Sequence, residues 1–431
     1  MSHTDPTPAR TRAGNSPPLS RLFSDSIHFN IFLILLLIAA ASLPFTNFLM
    51  LPVAGLMLVN WAAEWNWKDK WRNMRQNATP ATLITLFSIY LIVIYGFFLS
   101  YNKGRALAAF DCNLWFLVAP LVLLSYSRKE LNNNRIHLVL LVFALSTFAH
   151  VLILFSIAIP QYIRTGEDIY LYYGHLSRFR HPSYIAMYAT FSFFFLVDFL
   201  NKTHQRLPLA SRVALYMVLA TLLTGVFFLQ SKAGLLVFGI LTAVWFVYLL
   251  FIRNTNIAAA LSVIVVVTSV CIVLHETQWV PVHRFRDTIE DVGRFKANRL
   301  GSGSSEIRLT VWKSAVEICK KNMPWGVGTG DATDELCVNA VKKNYTNLIG
   351  HHFNAHNQYL QTLLTTGIPG ILALLAYCLM PLVTSLRRKN TLYFSFAVIL
   401  ILNIVVESMF ETRGGVDFFA IMNVLLLLRS K

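Results

Sequence analysis

The chain has 431 residues, of which 55% are hydrophobic and only 13% charged. A soluble domain carries about 25% charged residues, so this composition, with a mean hydropathy of +0.54, excludes a soluble globular enzyme, a disordered chain and a coiled coil. Lys plus Arg outnumber Asp plus Glu by 37 to 21, a formal charge of +16. Those cations stand between apolar blocks, so no nucleic-acid partner is expected and membrane topology has first claim on them.

A span requires roughly 20 apolar residues. In chain order the apolar blocks lie at about 27–45, 46–64, 80–101, 107–125, 136–159, 181–200, 209–229, 233–252, 256–274, 366–386, 391–409 and 413–429. They predict an all-α polytopic membrane protein of about 12 transmembrane helices. Residues 1–26, with Pro6, Pro8, Pro17 and Pro18, read as a disordered cytoplasmic tail. Ala39-Ala40-Ala41-Ser42 looks like a signal-peptide cleavage site, but the segment before it is too long for an n-region, so the first helix is expected to be retained. Residues 27–274 then hold spans 1–9, and 366–431 hold spans 10–12 with a cytoplasmic C-terminus. Between them, 275–365 forms one large helical periplasmic loop, the expected catalytic domain. Loops of that length are usually functional, and this one contains Trp279, Trp312, Trp325 and a helical stripe at Ile307, Val311, Ala315 and Ile318.

Orientation follows the Lys and Arg of the short loops. With the N-terminus inside, nineteen cations fall on the cytoplasmic side and only seven in the short outer loops, among them Arg178, Arg180 and Lys232. Those few run against the topological bias. Arg178 and Arg180 precede His181-Pro182, and Lys232 sits in the tight turn Gln230-Ser231-Lys232-Ala233-Gly234. Each is either a solvated or headgroup-facing charge, or part of a site for a lipid-linked phosphate.

Three further features carry chemistry. His356, Tyr359, Leu360, Leu363 and Leu364 have helical spacing, which puts His356 on the apolar stripe of a helix that Gly367-Ile368-Pro369-Gly370 then kinks. It is either an interfacial histidine satisfied by a neighbour or a general base titrating near neutrality. His352 and His356 have the i, i+4 spacing of a metal pair, but no third ligand follows at motif spacing, and no metal or other cofactor is expected. Arg308 lies early in a helix that Ser304 or Ser305 can cap; it is either a solvated arginine stacked on Trp312 or a phosphate clamp. Pro324-Trp325-Gly326-Val327-Gly328-Thr329-Gly330-Asp331 has no strand before it and no clear helix after it, and reads as a turn packed near the site. Cys319 and Cys337 both lie in the outer segment, where a disulfide is permitted but not implied by spacing.

Glu306-Ile307-Arg308-Leu309-Thr310-Val311-Trp312, then Pro324 to Gly330, then His356-Asn357-Gln358-Tyr359-Leu360-Gln361, in this order and within this layout, resemble the bacterial O-antigen ligase family, related to O-antigen polymerases and pilin oligosaccharyltransferases. The resemblance implies an inner-membrane glycosyltransferase that moves polysaccharide from undecaprenyl pyrophosphate to a lipid A–core sugar hydroxyl on the periplasmic side. His356 and Arg308 match the family's essential loop histidine and arginine; Lys232 stands where relatives carry Arg; Arg178 and Arg180 lie in the counterpart of its arginine-bearing loop. Together Lys232, Arg178 and Arg180 would bind the donor pyrophosphate. Many relatives carry Glu nine residues after the histidine; here that residue is Thr365, which weakens the expectation that a carboxylate orients His356. The mechanism expected is a metal-free single displacement with inversion. A polymerase or protein transferase of the same superfamily, or a transporter or flippase with mid-membrane ionisable residues, are the rival readings.

Overall fold

The computed structural model describes residues 26–46, 48–251, 289–295 and 303–429. Among the described residues every regular element is helical. In chain order these are α1 (Ile27–Ser42), α2 (Met50–Ala63), α3 (Trp67–Asn77), α4 (Pro80–Leu99), α5 (Lys103–Cys112), α6 (Trp115–Val118, running on as a π turn to Leu123), α7 (Asn133–Thr165), α8 (Tyr173–Leu176), α9 (Pro182–Thr203), α10 (Leu209–Phe228) and α11 (Lys232–Phe251). A short helix over 289–295 follows, then α12 (Ser304–Asn322), α13 (Ala332–Lys342), α14 (Gln358–Arg387), α15 (Thr391–Val406) and α16 (Arg413–Arg429). The expected tail, the apolar block at 256–274 and Trp279 lie outside the described residues.

The other eleven apolar blocks each fall on helix, but fewer satisfy the length of a span. By length and composition α4, α7, α9, α10 and α14 can cross a membrane, and the pair α5 with Trp115–Leu123, bent by 46°, counts as a sixth if it is one broken span. The remaining blocks lose residues to turns: α1 stops at Ser42 and α2 starts only at Met50. Two helices arise where none was expected. The charged stretch 67–77 forms α3, and α13 follows the glycine-rich segment directly.

Starts and stops follow local chemistry. Thr79 accepts from Thr82 N ahead of Pro80, Asn132 from Arg135 N and Asn390 from Tyr393 N, each supplying an acceptor to an orphan helical N–H. Gly166 ends α7 in the left-handed conformation, φ +72°. In the bundle α16 is the central column, with Gly414 to Leu428 buried on every side. The most apolar window of α9 is 83% buried against 22% for α4, which places α9 inside and α4 at the periphery. Lipid tails are as apolar as leucine, so close packing rather than hydrophobic transfer selects these neighbours. His150 is one such packed group, 1% exposed, with its ring 5.0 Å from that of Phe45.

Polar contacts gather at the two ends of the bundle. At one end Arg429 binds Asp198 at 2.6 Å and His137 at 2.7 Å, and Asn77 holds the carbonyls of Leu124 and Tyr126. At the other lie the start of α14 and the turns 229–231 and 407–412.

The long helix α14 is broken at Gly367, where φ is +62° and ψ −146°. A break in a buried helix frees backbone groups that need partners. The glycine-rich segment provides them: Val327 N donates to Leu364 O at 2.9 Å, Gly328 N to Thr365 O at 2.8 Å, and Ile368 N to Pro324 O at 2.8 Å. A Cβ at Gly367 would lie 1.9 Å from Pro324 O, and one at Gly326 2.6 Å from Thr365 O, so the two backbones meet only because both positions lack side chains. The segment is therefore a close-packed splint, as its reading as a turn beside the site anticipates. Gly367→Ala is expected to cost about 3 kcal/mol, against about 1 kcal/mol for Gly166→Ala, which also has a positive φ but lies in the αL region with open space around it. Thermal midpoints of the detergent-purified variants check this; equal losses would contradict the splint.

Candidate active site

Residues 353–357 approach the N-terminal end of α14 as an irregular loop, and the helix begins at Gln358 with Asn357 as its cap. His356 therefore stands before the helix, in a left-handed conformation at φ +45°, and not on its apolar stripe. The periodicity misleads because Tyr359, Leu360, Leu363 and Leu364 obey it without the histidine. Hydrogen bonds on both sides of His356 hold the loop that carries it. Asn357 Oδ1 accepts from Leu360 N at 3.0 Å, Gln361 Oε1 from Ala355 N at 2.9 Å, and Ala355 O from Trp312 Nε1 at 2.8 Å. Asn357 N donates to Ser408 Oγ at 3.1 Å and Phe410 N to Gln358 Oε1 at 2.7 Å, which stitch the turn after α15 to this loop.

That turn delivers the residue the sequence reading did not anticipate. Glu407, 8% exposed, accepts from His356 Nδ1 on Oε1 at 3.0 Å and from Arg308 Nη2 on Oε2 at 3.4 Å. A carboxylate does orient His356, and it comes from the end of α15, not from α14. With Glu407 ionised, Nδ1 must be the donor, which leaves the Nε2 lone pair as the basic site. Burial alone would push the Glu407 carboxyl up; the hydrogen bond and charge of His356, with Arg308 and His181 nearby, outweigh it and hold the group below its ordinary range.

Arg308 is set by α12, whose buried face is the expected stripe: Val311, Ala315 and Ile318, with Ile307 beside them, pack on Leu336, Ala340 and Leu364. Neither Ser304 nor Ser305 caps this helix. Gly303 is the cap residue and Asp291 Oδ2 accepts from Ser305 N at 3.2 Å, so the carboxylate comes from the segment 289–295. Lys232 is the first residue of α11; Ser231 Oγ accepts from Gly234 N at 3.2 Å, and a Cβ on Gly234 would meet Ala186 of α9 at 2.6 Å. Its ammonium lies 3.2 Å from Ser305 Oγ. Lys232 and Arg308 thus face one cleft of about 320 Å³, with Tyr173, Ser183, Ser231 and Ser305 as hydroxyls and Leu236, Leu309, Trp312 and Val406 as an apolar wall. Two cations, a ring of hydroxyls and an apolar flank suit an anionic amphiphile.

Arg178 and Arg180 are not among the residues lining this cleft. Arg178 binds the Gln161 side chain of α7, and Arg180 donates to Tyr188 Oη at 2.9 Å, which in turn donates to Gly414 O at 2.7 Å. The structure brings His356, Arg308 and Lys232 together and gives the other two arginines packing partners. His352 Nδ1 contacts Cys337 Sγ at 3.6 Å while His356 contacts Glu407, so the two rings do not converge; residues 352–356 are not helical and the i, i+4 premise fails. Cys319 and Cys337 are free thiols, the first buried under α12.

On the opposite side of the 407–412 turn lies a second cavity of about 320 Å³, lined by Gln358, Thr362, Thr365, Thr366, Asn113 and Glu411 with Arg105. Glu411 is an exposed residue that lines the cavity, and the loss of hydration around its carboxyl there raises it to about 7, less a contribution from Gln361. Asp331, at the end of the glycine-rich segment, accepts from Tyr101 N and Asn102 N at 2.6 and 2.7 Å, which ties this wall to α5.

A bundle of long apolar helices with a His–Glu–Arg centre at one end, beside a cationic cleft, defines a membrane protein with the parts of a group-transfer site. Residues 215–375 match the family model described as O-antigen ligase. The matched stretch includes Lys232, Arg308 and His356 and leaves Glu407 outside it. No curated protein matches the chain.

The two carboxyls have opposite pH behaviour. Glu407, held low, contributes stability that is complete above the ordinary carboxylate range near 4.3 and is lost as pH falls through its depressed value. Glu411, held high, keeps a proton that the unfolded chain releases, so its contribution falls as pH rises from about 4.3 to about 7. Glu411→Gln should flatten the fall between those pH values, and Glu407→Gln should lower stability by about 2 kcal/mol at neutral pH. Melting curves across pH check both; a Glu411→Gln curve parallel to wild type would refute the assignment.

Proposed function

We propose that the chain is an O-antigen ligase of the bacterial inner membrane, which transfers polysaccharide from undecaprenyl pyrophosphate to a sugar hydroxyl of lipid A–core. The observation that carries the reading is Glu407 joined to both His356 and Arg308 at the edge of the cleft that Lys232 shares. The acceptor hydroxyl oxygen attacks the anomeric carbon. Its proton passes to His356 Nε2, the bond from that carbon to the pyrophosphate oxygen breaks, and the electron pair leaves on the pyrophosphate. Arg308 and Lys232 meet the charge that develops there, while Glu407 keeps the imidazole in its basic tautomer and stabilises the imidazolium. Arg178 and Arg180, from the loop before α9, join Arg308 and Lys232 on the donor pyrophosphate in this proposal.

The displacement is a single step with inversion at the anomeric carbon, because Glu407 is engaged with His356 and Arg308 and is not placed as a nucleophile. Two fixed cations let the reading stand without metal or other cofactor. Twelve spans, both termini in the cytoplasm, and a periplasmic domain over 275–365 complete the proposal. Its support is the segregation of Lys68, Arg72, Arg75, Arg128, Lys129, Arg387, Arg388 and Lys389 to the end of the bundle opposite His356.

Purified protein given donor lipid and lipid A–core should yield a ladder on a gel, retained in EDTA. His356→Ala should lose at least about a thousandfold in rate and Glu407→Gln about a hundredfold or more. Full activity of His356→Ala, or inhibition by EDTA reversed by a divalent ion, would overturn the mechanism. Elongation of the donor without lipid A–core would make the chain a polymerase. The product's anomeric configuration by NMR tests inversion.

A further inference from the structure

The end of the bundle opposite His356 holds a cavity of about 820 Å³ between α3 and the segment joining α6 to α7. Among the described residues its lining carries three cations, Arg72, Arg128 and Lys129, beside carboxamides of Asn73, Gln76 and Asn132, and no carboxylate. The wall is built, not loose. Asn73 Nδ2 holds Ser125 O at 2.9 Å, Asn77 holds Leu124 and Tyr126 at the same distance, and Glu130 Oε2 is turned away onto Ser127 N and Oγ at 3.1 and 2.8 Å. Asn132, as cap, sets the start of the 33-residue helix α7 at the same cavity.

Arg128 is the anomaly. One guanidinium nitrogen donates to Leu428 O, but Nε and Nη2 are buried without a hydrogen-bond partner. Leaving charged donors buried and unmade is costly, and Arg388 beside it adds like charge; burial first, then Arg388, pushes Arg128 down to about 10. Lys129 is exposed, and Arg72 is shared with Asp69 within α3. Net positive charge around a cavity, with an under-bonded guanidinium packed into its wall, favours an anion there.

What kind of anion follows from α3. Trp65, Trp67 and Trp71 are 77%, 42% and 52% exposed beside Lys68, Arg72 and Arg75, and Arg75 lies over the Trp71 ring at 4.8 Å. Exposed tryptophans interleaved with cations mark the membrane–water interface, so the cavity opens at headgroup depth. We infer that this cavity binds the phosphate of an anionic phospholipid, with Arg128 and Lys129 as its charge partners, Arg72 at the rim and the N-terminus of α7 behind it. The site is separate from the His356 centre and does not depend on the ligase reading.

The test uses full-length protein in detergent, with phosphatidylglycerol, phosphatidylcholine or inorganic phosphate added and the thermal midpoint followed. Phosphatidylglycerol should raise the midpoint by several degrees, with the other two giving little. Arg128→Gln with Lys129→Gln should weaken the lipid by on the order of tenfold or more, at about 1 kcal/mol per cation. Arg72→Gln alone, on an exposed side chain that should leave folding intact, should weaken it several-fold. Lys232→Gln, at the far end, should keep the increment. Equal protection by phosphatidylcholine, equal protection by inorganic phosphate, or an increment that survives in both the double variant and Arg72→Gln would overturn the proposal.

Discussion

The site depends on one buried carboxylate that three separate elements must reach. Glu407 has almost no access to water, so its charge is tolerable only while both oxygens are occupied. His356 takes one and Arg308 the other. Removing either partner leaves a half-compensated ion, a penalty of several kcal/mol that the fold avoids by keeping α12, the 353–357 loop and the end of α15 in register. The same bond that stabilises the carboxylate fixes the imidazole's tautomer, so the structural requirement and the chemical one are met by a single contact. The left-handed backbone at His356 costs of order 1 kcal/mol, and Asn357, Gln361 and Trp312 surround it with the bonds that hold it there.

Register between these elements comes from the broken helix. Were α14 continuous through Gly367, the Leu364 carbonyl would be spent on Ile368 N within the helix, while the Thr365 carbonyl has no helical donor because Pro369 lacks an N–H. The break turns that backbone into a docking edge, and Pro324 to Gly330 lies along it. Thr329 N continues to Gly96 O, and Gly330 N to Ser100 Oγ, so the same strip also clamps the end of α4. The loop domain is thereby fastened to two spans at once. The cavity with Glu411 forms between those fastenings, where Thr362, Thr365 and Thr366 show hydroxyls across from the α5–α6 bend.

Much of the scaffold was legible from hydropathy alone, since apolar runs in lipid leave the backbone no alternative to helix. Their lengths were less legible, because turn residues such as Leu43 to Phe45 are as apolar as the spans they join. The placement of Arg308 and Lys232 beside one another could be suspected only from their sharing a sign on one side of the membrane. Glu407 was not found because its partner lies 51 positions earlier and nothing local ties the two. One signal was present: it is the sole acidic residue in the apolar block 391–409, at its very end, where an unpaired charge would be costly. Asp291 as the cap of α12 was hidden for the same reason, since two serines stood at the expected cap position and satisfied the pattern.

The cations at the His356 end differ in what each can reach. Lys232 sits on a helix start and Arg308 on a helix face, so both aim their charge across a cleft. Arg180 instead projects into the bundle, where its guanidinium lies over the Tyr188 ring at 5.5 Å. A Cβ on Gly414 would come 2.2 Å from its Nη1, so the guanidinium rests directly against the bare backbone at the start of α16. Through Tyr188 Oη and Gly414 O, Arg180 positions the start of the central column, and the column's preceding turn carries Glu407. Arg413 and Asp111 pair one residue away from that contact. An arginine in this place influences the His356 centre through the backbone of the 407–413 turn, without lining the cleft itself. Its loss would therefore be felt as displacement of Glu407 from His356, whatever part it has in holding a pyrophosphate.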